Sequence, residues 1–211
     1  MQNKKGLWVV IEGIDGAGKT TAMQTVLDTF TSYHLPIKAY REPGGTSLGE
    51  CIRTLLKTDG LGILPFAEVL LFYAARYQLL MQEILPSLRS GTTVLLDRHE
   101  LSTFAYQAGG RGVDKSNIES LSQLCLQGQK PDLTIFLSVH PRRAYERMHA
   151  RGKLDHIEQQ DLTFFENVAL TYEILLEDYP GVMMIDANVS LEMVQDDIRQ
   201  QLSDWIELRI L

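Results

Sequence analysis

The chain has 211 residues, of which 45% are apolar and 22% are charged, so it is long enough to bury a core around a sheet and is predicted to form one domain, residues 1–211. Its formal net charge of −7 argues against a protein that binds nucleic acid by neutralising a phosphate backbone. The apolar run near the start is too short for a signal peptide or a membrane span, so we expect a cytoplasmic protein with no membrane partner.

Apolar segments rich in β-branched residues alternate with segments of helical periodicity. The first, LWVVI at residues 7–11, is typical of a strand that is buried on both faces of a parallel sheet. A glycine-rich turn and a helix over 19–32 follow it. Later strands are predicted at 37–41, 92–97, 133–139 and 182–186. This order predicts an α/β fold with a five-stranded parallel sheet flanked by helices.

Helices are predicted between these strands. Ser47 and Glu50 have the spacing of a capping box, which predicts a helix that runs to about Lys57. Pro65 suits the first turn of the next helix, whose apolar stripe is typical of core or of a dimer surface. That stripe comprises Phe66, Leu70, Tyr73, Tyr77, Leu80 and Ile84. Further helices are predicted at 100–108, 115–127, 141–151, 161–178 and 190–208.

The turn after the first strand, EGIDGAGKTT at residues 12–21, matches the pattern GxxxxGK[ST] in the strand–turn–helix context that this pattern requires. Its N–H groups can converge on phosphate oxygens, Lys19 can pair with the β- and γ-phosphates, and the Thr20 hydroxyl can bind Mg²⁺. The predicted phosphate-binding residues are Gly13, Ile14, Asp15, Gly16, Ala17, Gly18, Lys19 and Thr20. An inward carboxylate would repel a triphosphate, so we expect Asp15 to point towards a hydroxyl of a second substrate; a solvated surface acid is the alternative.

Two further strand ends carry polar residues that would meet the same edge of the sheet. The stretch DRHELSTFAYQAGGRG begins with Asp97, a natural ligand for Mg²⁺, and Arg98, which offers paired donors to a phosphate. A structural ion pair between them is the alternative. The stretch REPGGTSLGECIR places Glu42 before a proline and two glycines that hold the backbone open beside the phosphates, although turn chemistry alone would explain it equally well.

One helical pair indicates a pocket for a base. Phe72 and Arg76 are four residues apart and therefore share a helix face. The ring can stack on a base, and the guanidinium can donate to a base carbonyl. A core Phe beside a surface Arg would produce the same spacing.

Five stretches resemble thymidylate kinases in sequence and in order: EGIDGAGKTT, REPGGT, FYAARYQL, DRHELSTFAYQ and ARGKLDHIE. They extend over nearly the whole chain and are far more specific than the P-loop, which many NTPases share. The resemblance implies a P-loop nucleoside monophosphate kinase fold with a small lid. It also implies transfer of the γ-phosphoryl of ATP to dTMP, giving dTDP and ADP in dTTP biosynthesis, with Mg²⁺ as the metal, and a homodimer.

The resemblance assigns roles around the acceptor nucleotide. Phe72 would stack on thymine, Arg76 would donate to its carbonyl oxygen, and Tyr106 would crowd the 2′ position and favour deoxyribose. Asp15 would accept from the 3′-hydroxyl, while Arg98 would hold the acceptor phosphate together with Arg53. The residues implied for dTMP are Asp15, Glu42, Pro43, Arg53, Phe72, Arg76, Arg98, Ser102, Thr103, Tyr106 and Gln107, of which Thr103 and Gln107 would lie near the ring N3. Thr20, Asp97 and Glu42 are implied around the metal and its waters.

The resemblance also predicts where the catalytic cations lie. Some thymidylate kinases carry Arg where this chain has Gly16, whereas the type that this chain resembles places basic residues in a lid, here residues 146–160. The basic residues of that segment are Arg147, His149, Arg151, Lys153 and His156. Relatives often have Arg at the two His positions, and a neutral imidazole carries no full charge. We therefore expect Arg151, followed by Arg147, to act with Lys19, Asp97 and Arg98 in catalysis; a solvated basic helix end is the alternative.

Two other functions share part of this pattern. A kinase for dUMP, UMP or AMP would have the same P-loop and lid, although Phe72, Arg76 and Tyr106 as a set favour thymine and deoxyribose. A P-loop switch protein would be expected to carry an NKxD stretch, which this sequence lacks. An inactive nucleotide-binding module would differ from a kinase only in forming no dTDP.

Overall fold

The computed structural model describes residues 5–152, 154–155 and 157–210, and within them a parallel sheet has the strand order β2-β3-β1-β4-β5. The strands are β1 (Trp8–Glu12), β2 (Ile37–Arg41), β3 (Thr93–Asp97), β4 (Leu133–Ser138) and β5 (Val182–Asp186). The predicted five-stranded parallel α/β fold is therefore confirmed.

The helices lie where the apolar periodicity predicts them. They are α1 (Lys19–Ser32), α2 (Ser47–Lys57), α3 (Pro65–Leu79), α4 (Leu85–Arg89), α5 (Glu100–Thr103), α6 (Lys115–Leu126), α7 (Pro141–Ala150), α8 (Leu162–Leu176) and α9 (Leu191–Ile210). Two π-helical turns, Leu80–Ile84 and Phe104–Gly110, continue α3 into α4 and extend α5. No helix in the described part of the chain is long and apolar enough to cross a membrane.

The start of α2 differs in detail from the predicted capping box. Its N-cap is Thr46 rather than Ser47, and the Thr46 hydroxyl accepts a hydrogen bond of 3.0 Å from the N–H of Gly49. Glu50 accepts from the N–H of Gly45 at 3.0 Å instead of closing a box with Ser47. Two adjacent hydroxyl residues offered equivalent caps, and the sequence alone did not distinguish them.

The side chains of β1 supply both faces of the sheet, as its apolar run predicts. Val9 and Ile11 pack into a cluster with residues of α1, α8 and α9. Trp8 and Val10 pack on the other face against residues of the α3–α4 region such as Leu80. The central strand is thus buried on both sides, which fixes the position of the loop that follows it.

The carboxyl ends of β1, β2 and β3 meet at one edge of the sheet. In the register of the ladders, Asp97 at the end of β3 lies opposite Ile11 of β1 and Arg41 of β2. The next residues continue this pairing, because the N–H of Glu42 donates to the Asp97 carbonyl and the N–H of Arg98 donates to the Ile11 carbonyl, both at 2.9 Å. The three polar loops predicted from the sequence are therefore held side by side.

Candidate active site

A cavity of about 440 Å³ lies at this edge of the sheet, and residues of α3 and of the predicted lid also line it. This volume is within the usual range for a small-molecule site. The predicted site residues that line it are Asp15, Gly16, Gly18, Lys19, Thr20, Glu42, Pro43, Arg53, Phe72, Arg76, Asp97, Arg98, Ser102, Thr103, Tyr106, Gln107, Arg147 and Arg151. The others, Gly13, Ile14 and Ala17, form the backbone of the same P-loop.

The P-loop wraps around the N-terminal end of α1. Gly18 is the N-cap of this helix in the left-handed conformation, with φ of 98°. The Lys19 ammonium donates to the carbonyls of Gly13 and Ile14 at 3.1 and 3.0 Å, so it lies across the loop. Burial, reinforced by the Arg98 charge, lowers the pKa of Lys19 to about 8. A bound anion would oppose that shift by favouring the charged ammonium.

Gly16 marks the contact between the P-loop and α7. A Cβ atom there would overlap the carbonyl oxygen of Ala144, and the φ of +85° already disfavours any other residue. An Arg side chain at this position is therefore incompatible with the packing of α7. Arg147, one turn beyond Ala144, lines the cavity instead.

The Asp15 carboxylate faces Arg98 and Tyr106 rather than bulk water. Its Oδ1 accepts from Arg98 Nη2 at 2.6 Å, and its Oδ2 accepts from the Tyr106 hydroxyl at 2.8 Å. Burial alone would raise the pKa of Asp15, but the charges of Arg98 and Lys19 outweigh it and lower the pKa well below its usual value. The group is therefore an anion that can accept hydrogen bonds. The alternative of a solvated surface acid is wrong.

Arg98 is held in place from several directions. Its Nη1 donates to the carbonyl of Gly13 at 3.1 Å and to the hydroxyl of Ser102 at 3.0 Å, and its guanidinium carbon lies 4.8 Å from the centre of the Tyr106 ring. Its backbone has φ of 70°, a strained conformation for a residue with a side chain. Such strain persists where the surroundings fix it and is common at functional sites.

Arg76 is almost completely buried, so the alternative of a surface Arg beside a core Phe is wrong. Its Nε donates to Glu42 at 2.6 Å, and its Nη2 donates to Thr103 Oγ1 at 2.9 Å. Its Nη1 is buried without a hydrogen-bond partner among the residues that the structure describes. Phe72, on the same helix face, also lines the cavity. The pair therefore offers a ring and a donor to a ligand.

The contacts of Glu42 do not match the position beside the metal that the resemblance implied. One carboxylate oxygen accepts from Arg76 and the other lies 3.0 Å from His99 Nδ1. Burial would raise the pKa of Glu42, but Arg76 and His99 outweigh it and lower the pKa. Since both oxygens contact buried side chains, we assign Glu42 to holding Arg76 and not to the metal.

Asp97 and Thr20 are the other two residues that the sequence analysis implied around the metal. Asp97 Oδ1 is buried and has no partner within the described ranges, and both residues line the cavity. No three His, Cys, Asp or Glu residues in the described part of the chain are grouped to hold a metal ion by themselves. An unpaired carboxylate oxygen and a hydroxyl suit Mg²⁺, which takes few protein ligands and completes its shell with phosphates and water.

Buried acids that the sequence analysis missed support these residues. The Glu12 carboxylate accepts from the N–H of His99 at 2.8 Å, from the Ser102 hydroxyl at 2.6 Å and from the Tyr172 hydroxyl at 2.8 Å. Glu68 accepts from the Gln107 amide at 2.8 Å. A charged residue that ends an otherwise apolar strand was the available signal for Glu12, whereas its partners are far away in sequence.

The predicted lid brings Arg151 to the cavity. Arg151 follows α7, and its Nη2 lies 2.7 Å from Glu158, while Asp155 pairs with Lys57 of α2 at 2.8 Å. His149 contacts the Tyr145 carbonyl within its own helix at 2.9 Å. The other two predicted basic residues, Lys153 and His156, lie outside the described residues.

A second cavity of about 260 Å³ lies against the P-loop, where the sequence analysis predicted none. Gly16 and Arg147 contribute to both cavities. The remainder of its wall includes apolar residues of the β5–α9 region: Ala187, Val189, Leu191, Val194 and Ile198. Its apolar wall beside a phosphate loop suits a flat nucleotide base.

Comparison with known proteins places this geometry in a family. A family model described as thymidylate kinase matches residues 11–198. A relative named thymidylate kinase from Legionella pneumophila (strain Corby) is 44% identical over 209 residues, which cover 98% of this chain and 99% of the relative. A relative of the same name from the strain Paris is 43% identical over the same length and with the same coverage.

Proposed function

This chain belongs to the thymidylate kinase family and phosphorylates dTMP with ATP, and from that premise we propose how the residues of its cavity perform the transfer. The observation that carries the proposal is the convergence of the P-loop, the Asp15–Arg98 pair and Arg76 Nη1 on one cavity. A phosphate donor and a nucleoside monophosphate acceptor need these three features next to each other.

ATP binds along the P-loop. The N–H groups of residues 13–20 surround the β-phosphate, and Lys19 moves from the loop carbonyls to the β- and γ-phosphates. The second cavity takes the adenine between Arg147 and the β5–α9 region, which is supported by its apolar wall on the P-loop.

The base of dTMP lies between Phe72 and the α5 region. Phe72 stacks on thymine, and the unpartnered Nη1 of Arg76 donates to the base carbonyl. Glu68 accepts from the amide nitrogen of Gln107, which leaves the amide oxygen as the natural acceptor for the ring N3–H. Thr103 and Ser102 hold Arg76 and Arg98 beside it.

Arg98 and Arg53 hold the acceptor phosphate, while Asp15 accepts from the sugar 3′-hydroxyl. Arg53 reaches the cavity from α2, where its Nη1 donates to the carbonyl of Pro43 at 3.0 Å. The Tyr106 ring lies beside Asp15 and limits the room at the sugar. Both Arg98 and Asp15 are held in place before the substrate arrives. This lowers the entropic cost of ordering side chains when dTMP binds.

Phosphoryl transfer needs positioning and charge rather than a strong base. A phosphate oxygen of dTMP forms a bond to the γ-phosphorus of ATP. At the same time the bond between that phosphorus and the oxygen bridging the β- and γ-phosphates breaks, and ADP leaves. Thr20 and Asp97 would hold Mg²⁺, which when bound neutralises charge on the β- and γ-phosphates. Lys19, Arg98 and the lid cations Arg151 and Arg147 stabilise the charge of the moving group.

We also propose that the chain acts as a homodimer in the cytoplasm. The predicted apolar stripe is divided: Tyr73, Leu80 and Ile84 are buried, whereas Phe66, Leu70 and Tyr77 are exposed together with Met81. An exposed apolar face of this kind supports contact with a second copy. Analytical ultracentrifugation tests this, because Leu70→Glu should produce monomers if the face is the interface.

Formation of dTDP tests the proposal against an inactive binding module. The purified full chain is incubated with ATP, dTMP and Mg²⁺, and the products are separated by chromatography. We expect equal amounts of dTDP and ADP, and a loss of both when Mg²⁺ is chelated. ATP consumption without dTDP would contradict the proposal.

A further inference from the structure

Three buried side chains from different parts of the chain are linked by hydrogen bonds beside the cavity. His99 Nδ1 lies 3.0 Å from Glu42 Oε1, and Glu42 Oε2 accepts from Arg76 Nε at 2.6 Å. His99 is 2% exposed, Glu42 is 5% exposed and Arg76 is 1% exposed. All three line the cavity, but the assignments above give His99 no role.

The donors of Arg76 show why its orientation matters. Nε is bound to Glu42, and Nη2 donates to the His99 carbonyl at 3.0 Å and to Thr103 Oγ1. Nη1 alone has no partner among the residues described. Since the guanidinium is planar, the Glu42 contact on Nε decides where Nη1 points.

His99 in turn holds Glu42. The carboxylate is ionised and can only accept, so the His99 Nδ1 carries the proton and donates it to Oε1. His99 is itself held against β1, because its backbone N–H donates to Glu12 and its ring packs edge-on against Trp8, with the two ring centroids 4.9 Å apart. A chain of fixed contacts thus runs from the sheet to the guanidinium.

We propose that His99 is a positioning residue that selects the acceptor base through Glu42 and Arg76. Its Nδ1–H fixes Glu42, Glu42 fixes Arg76, and Nη1 of Arg76 is thereby presented to a base that carries a carbonyl oxygen. The inference rests on the proposed acceptor site, in which Arg76 contacts thymine.

This role predicts a particular loss of selectivity. We take the carbonyl that Arg76 Nη1 reads to be the one at C4 of the base. Thymine and uracil both present an oxygen there, whereas cytosine presents an amino group, which cannot accept. If Arg76 loosens, the preference for dTMP over dCMP should fall more than the preference for dTMP over dUMP, which differs only by a methyl group.

Two substitutions separate the ring nitrogens of His99. The amide nitrogen of His99→Asn can take the place of Nδ1, whereas the amide of His99→Gln extends to the place of Nε2. We measure KM for dTMP and for ATP, kcat, the dTMP to dCMP preference and thermal unfolding of the full chain. For His99→Gln we expect KM for dTMP to rise roughly ten-fold, the size of one lost charged hydrogen bond, with KM for ATP unchanged.

His99→Asn should stay within about three-fold of the unsubstituted chain because it keeps the donor. Glu42→Gln tests the same link from its other end and should also raise KM for dTMP alone. Unchanged kinetics in His99→Gln and Glu42→Gln would overturn the proposal. So would a reversed order, with Asn impaired and Gln normal, because Nε2 would then be the working atom.

Arg76→Ala distinguishes this inference from the function on which it rests. If Arg76→Ala leaves KM for dTMP unchanged, the proposed base site is wrong. If it raises KM while His99→Gln does not, only the role of His99 is wrong. Equal rises in KM for dTMP and for ATP in both His99 variants, with a lower unfolding temperature, would show that His99 only packs against Trp8. That result would also overturn the proposal.

Discussion

Gly16 of the P-loop and Ala144 of α7 are in such close contact that a Cβ atom at residue 16 would overlap the Ala144 carbonyl oxygen. This contact links the loop that binds the donor phosphates to the helix that carries Arg147 and leads to Arg151. It gives a packing reason for the absence of an Arg from this P-loop. Arg147 of α7 and Arg151 beyond it line the cavity instead.

Gly16→Ala should therefore impair transfer by displacing α7. We expect kcat to fall roughly 10²-fold, as for a displacement of catalytic groups by about 1 Å, with little change in KM for dTMP. Gly60→Ala is the matched control, because Gly60 has a similar φ of +79° but its Cβ would meet no atom of the described residues within 4 Å. Equal kcat values for the two variants would contradict this packing role.

Arg151→Ala tests the lid cation directly. We expect kcat to fall by about 10³-fold or more, the contribution of an arginine that stabilises the transferring phosphoryl group. Arg142→Ala, at an exposed site on α7 with a long pair to Glu146 at 3.9 Å, should leave kcat unchanged. A near-normal turnover of Arg151→Ala would remove the lid Arg from the mechanism.

Tyr106 should control the sugar that the enzyme accepts. Tyr106→Phe removes the hydroxyl that contacts Asp15 and Arg98, and Tyr106→Leu also removes the ring. We expect the kcat/KM ratio of dTMP to TMP to fall, by roughly ten-fold in the Leu variant, because room appears for a 2′-hydroxyl. The ratio is measured beside thermal unfolding, since both variants also lose buried contacts. An unchanged ratio in the Leu variant would exclude a steric role.

ATP binding should be coupled to proton uptake by Lys19. Its pKa is about 8 in the ligand-free chain, and the triphosphate raises it by favouring the charged ammonium. As pH rises above about 8, Lys19 loses its proton in the free chain, and ATP binding must restore it. The affinity for ATP therefore falls, and the number of protons taken up on binding grows. Calorimetry at a pH of about 8.5, in buffers of different ionisation enthalpy, measures the uptake. Lys19→Arg, which stays charged, should lack it; equal uptake in both would contradict the assignment.

Local sequence patterns predicted the fold and the phosphate loop well. The apolar runs located the five strands to within one residue at each end. The signal was strong because β1, β3 and β4 are buried along nearly their whole length. The pattern from Gly13 to Thr20 fixed the P-loop because its chemistry depends on adjacent residues. The exact cap at Thr46 and the π-helical turns were not predicted, since neighbouring residues offer nearly equivalent hydrogen bonds.

Long-range side-chain contacts could not be predicted in the same way. Glu42 contacts Arg76 and His99, which lie 34 and 57 residues away in the chain. The resemblance to thymidylate kinases implied Glu42 beside the metal, and only the fold shows which side chains occupy its oxygens. Glu12 and the second cavity were missed for the same reason, because their partners come from α5, α8 and the β5–α9 region.

The most direct test of the account is a coupled assay of ADP release with ATP and Mg²⁺ across dTMP, dUMP, TMP, UMP, dCMP and AMP. We expect dTMP to have the highest kcat/KM, dUMP to lose the contribution of the methyl group, and the ribonucleotides and dCMP to be poor acceptors. No preference for dTMP over the other monophosphates would contradict the central claim that Phe72, Arg76 and Tyr106 form a site for thymidylate.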